Sequence, residues 1–148
     1  MTIRRAVTDD VSQLVELARE EHAASFLAHT PFDAAHAAAN FHQVVNGMAG
    51  AVFVSCDEHG QLQGLIAGVA QQNLHNRFTT VYELMWFSKD GSGLQLLGRL
   101  KAWANRMRAT RLVAHNYAGV VAPERFARAM VRKGFEPLGM TYSTELEN

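Results

Sequence analysis

The sequence predicts a single α/β domain in which helices flank a mixed, mostly antiparallel, twisted sheet, and three observations carry that expectation. A chain of 148 residues is long enough for one core, because a domain of this size buries roughly two-thirds of the surface that its unfolded chain exposes. Its apolar fraction of 48% and charged fraction of 19% are ordinary globular values and fit neither a disordered chain nor a disulfide scaffold. Its hydrophobic period switches between two and 3.6, in the order β-α-α-β-β-β-α-β-α-β. No repeat, low-complexity tract or proline-rich linker interrupts residues 1–148, so one domain is expected throughout.

Residues 3–7 read as a short strand. Thr8 is then placed to cap a helix, with Asp9 and Asp10 at the positive end of its dipole. That helix runs to about Ser25 on an apolar face of Val11, Leu14, Val15 and Ala18, which His22 continues, so His22 points inward or into a cleft. Asp33 caps a second helix with Phe41, Val44, Val45 and Met48 as buried positions and Gly47 or Gly50 as its end. Residues 51–56 and 61–71, joined by turn chemistry at 57–60, form a hairpin. Residues 79–87 are the strongest strand, being rich in Thr, Val, Tyr, Trp and Phe. From Gly93 the period lengthens, and Leu96, Leu97, Leu100, Trp103, Ala104 and Met107 line one face of a long helix. Residues 111–116 are a further strand, and Pro123 opens a helix through Lys133 with Gly134 just beyond its end. Residues 136–146 close the sheet.

Cys56 is the only cysteine, which excludes an intrachain disulfide and suits a reducing, cytoplasmic setting. Arg4 and Arg5 are followed by no apolar stretch, and no run of about 18 apolar residues occurs, so neither export nor a membrane partner is expected. The net charge is zero but unevenly spread. Residues 1–74 hold 3 Lys and Arg against 8 Asp and Glu, and residues 75–148 hold 11 against 6. A basic second half suits a phosphate-bearing ligand, while the balanced total argues against extended nucleic acid as a partner. The seven histidines show no helical i, i+4 pair and no cysteine partner, so no metal is expected.

The segment Ser88-Lys89-Asp90-Gly91-Ser92-Gly93 joins the strongest strand to the strongest helix. Its glycines let backbone amides approach a ligand, and the following helix adds unpaired N–H groups and its positive dipole end, which together suit a phosphate. Glycines at such a junction also serve as plain turn residues.

Gly91, Gly93, Leu96 and Leu97 match the loop pattern (Arg/Gln)-x-x-Gly-x-(Gly/Ala)-x-x-Leu-Leu of the GNAT superfamily of acyl-CoA-dependent N-acetyltransferases, which the chain resembles over essentially its whole length. Glu83-Leu84-Met85-Trp86-Phe87 is similar to the end of that family's fourth strand, and Arg132-Lys133-Gly134-Phe135 to the stretch before its sixth. His22-Ala23-Ala24-Ser25, Pro31-Phe32-Asp33, Trp103-Ala104 and Pro123-Glu124-Arg125 further resemble a small group of GNAT-like proteins of bacteria and their phages. The resemblance implies acetyl-CoA, or another short acyl-CoA, held where strands four and five splay apart, transfer of its acetyl group to a primary amine, and a homodimer.

On the cofactor side it implies Trp86, Phe87, Lys89, Asp90, Gly91, Ser92, Gly93 and Leu94, with Asn116 and Tyr117 after the fifth strand and Arg125 and Arg128 on the next helix. By period alone, Trp86, Phe87 and Trp103 read first as core. Two positions depart from the pattern: Ser88 stands where the loop has Arg or Gln, and Met130 where the family has the tyrosine that protonates departing coenzyme A.

Direct attack on a thioester requires an amine that has lost its proton. An alkyl ammonium of pKa about 10.4 costs roughly 4 to 5 kcal/mol to deprotonate at pH 7, whereas a thiol of pKa about 8.5 leaves as thiolate for about 2. A base is therefore needed more than an acid. Glu83, a carboxylate in an otherwise apolar strand, is the first candidate, and a structural ion pair or solvent-facing edge position is its alternative. His22 is the second, against a role as a satisfied core histidine. Tyr142 is a substitute acid or a packed aromatic, and Cys56 is expected to pack. Ser88 and Met130 also keep open a catalytically silent module that binds acyl-CoA or a protein partner.

Overall fold

Five strands pair in chain order: β1 (Thr2–Arg5), β2 (Gly50–Cys56), β3 (Leu62–Gln72), β4 (Thr79–Ser88) and β5 (Arg111–Val113). The first three pairings are antiparallel and the last, β4 with β5, is parallel. This computed structural model describes residues 1–116, 119–139, 143, 144 and 146. Four helices flank the sheet: α1 (Val11–Ala24), α2 (Ala34–Asn46), α3 (Gly93–Arg106) and α4 (Pro123–Arg132). The mixed α/β class and the element order expected through α4 are both present.

The sheet is a wall between two cores. On one face Leu14, Leu17 and Phe41 of α1 and α2 pack on Val52, Val54 and Leu65. On the other, Leu96, Leu100 and Trp103 of α3, with Met130 of α4, pack on Phe53, Ile66 and Val81. β2 is buried along its whole length, as a strand covered on both faces must be. Each fully buried Leu or Ile in these layers contributes about 1.5 to 3 kcal/mol of transfer free energy. α3 packs closely on the sheet: a Cβ on Gly68 would fall 2.7 Å from Leu100 Cδ1, so a larger residue there would push the Leu100 side chain aside.

Several local expectations are corrected. Thr8 is not the helix cap: a 3-10 turn, Thr8–Asp10, precedes α1, and the Thr8 hydroxyl bonds Asn46 Oδ1 at 2.9 Å. Asp10 holds the entry instead, accepting the Val7 amide at 2.8 Å and both Arg4 guanidinium nitrogens at 2.7 and 2.8 Å. β1 therefore ends at Arg5 rather than residue 7. α2 stops at Asn46, which leaves Met48 95% exposed instead of buried. β5 ends at Val113, three residues before the expected limit, and that early end opens the site described next. Among the described residues of 136–146 none forms a strand, and Met140, Thr141, Tyr142 and Glu145 lie outside the described residues. No described helix is long and apolar enough to cross a membrane.

Candidate active site

β4 outruns β5. The parallel register couples Thr80 to Arg111, Val81 to Leu112 and Tyr82 to Val113, and beyond that point β4 continues to Ser88 without its parallel neighbour. The register between β3 and β4 also shifts here, since Ala67 faces Met85 and Gly68 faces Glu83, so Leu84 is an extra residue and bulges outward, 53% exposed. Between the released edge of β4, the end of β5 and α4 lies a cavity of about 490 Å³.

Glu83 sits at the point of divergence. Its side chain is 5% exposed, and its Oε2 accepts the backbone N–H of His115 at 2.9 Å, with His115 Nδ1 at 3.5 Å. One carboxylate thus bridges the gap where the ladder stops. Burial pushes the Glu83 carboxyl above its ordinary range; the hydrogen bond and charge of His115 oppose that rise, and the nearby Glu21 carboxylate adds to it. A base that would be feeble in water gains proton affinity in this position.

The junction from β4 to α3 supplies the second element of the site. Gly91 has φ of 77° with open space where a Cβ would stand, which reserves the position for glycine and lets a ligand approach the backbone. The Ser92 hydroxyl donates to Ser55 Oγ at 2.9 Å, both side chains being fully buried, and so anchors the loop to β2. Asp90 Oδ1 accepts the Ser92 amide at 3.0 Å. Burial would raise the Asp90 carboxyl, but hydrogen bonding from Ser92 and Ser55 outweighs it and holds the group below its ordinary value. The Ser92 amide is therefore taken, whereas the amides of Gly91, Gly93 and Leu94 have no protein acceptor among the described residues. These three donors at the positive end of α3 fit a phosphate group.

The residues named from sequence separate into three groups. Glu83, Trp86, Phe87, Gly91, Gly93, Leu94, Asn116 and Arg125 line the cavity. Trp86 stands edge-to-face with Phe126 at 5.9 Å, and Asn116 Nδ2 donates to Val121 O at 2.7 Å, closing the loop that precedes α4. Lys89, Asp90 and Ser92 hold the loop rather than line the cavity; the Lys89 ammonium is 2.9 Å from Glu20 Oε1 of α1. His22 does not line the cavity either, for its ring bonds Thr30 Oγ1 at 3.1 Å and packs edge-on to Phe32 at 5.5 Å. Tyr117 and Tyr142 lie outside the described residues. Met130 of α4 is buried in the core and does not line the cavity.

Among the lining residues that were not singled out from the sequence, two are titratable, Glu21 and His115. Glu21 was legible: the buried stripe of α1 includes Leu17, so Leu14, Leu17 and Glu21 follow the i, i+3, i+7 spacing of one face. His115 alternates with the half-buried Leu112 and Ala114, which puts it on the other side of the strand's extension.

No protein-family model matches the sequence, and no curated protein matches it. Solved structures do. A predicted acetyltransferase with acetyl-CoA from Clostridium acetobutylicum superposes with a TM-score of 0.77 at 14% identity, over 97% of this chain and 95% of that one. A ribosomal-protein-alanine N-acetyltransferase from Brucella melitensis gives 0.72 at 12% identity, over 99% and 100%. An aminoglycoside antibiotic 6'-N-acetyltransferase from Acinetobacter baumannii gives 0.70 at 11%, over 99% and 98%. At such identities the likeness concerns the backbone, and it spans at least 95% of each chain. The chain has the GNAT acetyltransferase fold.

Proposed function

We propose that this chain is an acyl-CoA-dependent N-acyltransferase that moves an acetyl group from acetyl-CoA to a primary amine by direct attack. The observation that carries this reading is Glu83, a buried carboxylate at the divergence of β4 and β5, in one cavity with the free amides of Gly91, Gly93 and Leu94.

Those amides and Arg125 would hold the phosphates, and Trp86, Phe87 and Leu94 would line the apolar part of the arm. When bound, acetyl-CoA supplies a thioester carbonyl open to an amine. Glu83 takes the proton of the incoming ammonium, directly or through water, and its burial sets its proton affinity closer to that task. His115 holds Oε2 through its amide, so the acceptor's proton would go to Glu83 Oε1. A second reading, a non-catalytic acyl-CoA-binding module, draws on Met130 and its place in the core.

Calorimetry with acetyl-CoA followed by a thiol-release assay over a panel of amines separates the two. Binding with thiol release supports the transferase, and binding without it supports the module. Absence of binding overturns both.

A further inference from the structure

Three consecutive polar side chains, Glu20, Glu21 and His22, stand near the end of α1, and they are used differently. Glu20 is committed to Lys89 at 2.9 Å, and His22 to Thr30 at 3.1 Å. Glu21, between them, is half-buried, lines the cavity and makes no hydrogen bond or ion pair among the described residues. Burial raises its carboxyl, only partly offset by His22. A half-desolvated carboxylate without a partner is costly in any protein, and it is worse beside a second carboxylate of the same sign, here Glu83. The cations near this wall do not answer it: Lys89 is spent on Glu20, and Arg125, which lines the same cavity from α4, makes no ion pair with Glu21 among the described residues.

We infer that Glu21 selects the acceptor: a compact amine with a second cationic group, whose reacting nitrogen meets Glu83 while its other charge pairs with Glu21. This rests on the N-acyltransferase reading of the same cavity. The reacting nitrogen of such an acceptor gives up two protons, one to Glu83 before attack and one as the tetrahedral adduct collapses, which ends on the departing thiolate; the second cationic group keeps its charge throughout, so the ion pair at Glu21 persists while the N–C bond forms and the C–S bond breaks. An acceptor carrying a carboxylate is rejected by the same residue, because it would set three negative groups together.

Linear diamines of three to six carbons are compared with monoamines and ω-amino acids of matched length, by thiol release and by calorimetry on the protein without an acyl donor. The expected KM of the best diamine is about tenfold or more below that of its monoamine, and the ω-amino acid is poorest. In Glu21→Gln that ratio falls to within about twofold, and Glu21→Asp restores part of it. Glu58→Gln, on the exposed turn between β2 and β3, leaves the ratio as it is. Equal KM values for diamine and monoamine, or an unchanged ratio in Glu21→Gln, overturn the inference. If acetyl-CoA does not bind at all, the transferase reading has failed by itself. Calorimetry then still decides Glu21: diamine binding that is lost in Glu21→Gln supports its role, and absence of diamine binding refutes it.

Discussion

The two halves of β4 have the same partner on one side and different fates on the other. From residue 79 to 82 the strand is held by β3 and β5, and Thr80 and Val81 are buried. From residue 83 to 88 only β3 remains, the side chains are mostly half-buried, and six of them line the cavity. A fully paired strand has no backbone group to offer and can only pack. One freed on an edge keeps polar groups that need a partner, and in a sheet interior that need creates a binding site. The change occurs within one residue step, at Glu83, whose carboxylate takes up the amide of His115 that a longer β5 would have directed into the ladder.

The sharpest test is in the open half. Glu83→Gln keeps an acceptor for the His115 amide but removes the base, so turnover should fall by about 10² to 10⁴ while the melting temperature changes little. In the wild type, kcat/KM should rise with pH through a pKa above the usual carboxylate range, as Glu83 loses its proton, and Glu83→Gln should lose that limb. Full turnover in the variant over pH 6 to 9 would remove Glu83 from its role. Next in size is the opposite result in the paired half: Val81→Ala should cost about 1 to 3 kcal/mol in denaturant unfolding and leave turnover per folded molecule unchanged. If Val81→Ala instead abolished turnover in a stable protein, the division between the halves would collapse.

Gly91→Val should act on the loop alone. Forcing a β-branched residue to φ of 77° costs about 1 to 3 kcal/mol, expected as an affinity for acetyl-CoA about tenfold weaker by calorimetry. The smallest effect is a slope. Because Glu83 has a raised folded-state pKa, its contribution to stability is fully present below the unfolded-state pKa and is lost as pH rises through the folded one. Thermal melts at pH 4 and pH 8 should therefore show Glu83→Gln gaining on the wild type as pH rises. A variant that instead loses ground to the wild type as pH rises would contradict the assigned burial.

Much of the fold was legible because it repeats locally. The stripe Leu96, Leu97, Leu100, Trp103 and Ala104 is buried as its spacing predicts, and α2 is capped by Asp33, whose Oδ1 accepts the His36 amide at 2.9 Å. Less of the cavity lining was legible. His22 has the same helical spacing as a lining residue, yet Thr30 and Phe32 occupy its ring, and no pattern in α1 announces a partner eight or ten residues downstream. Met48 looked like one more apolar helix position until α2 ended two residues before it.

Local pattern was enough for the element types, for the glycine loop at the head of α3 and for a carboxylate set in an apolar strand, because period, capping and backbone freedom act over a few residues. Tertiary packing alone chose where β5 leaves β4, which of the loop's amides stay free, and which charges are spent. Lys89 was a candidate for the phosphates until a glutamate 69 residues away claimed it, and Glu21 was left bare beside that pair. Electrostatic pairing depends on distance in space, and sequence spacing carries no measure of it between elements.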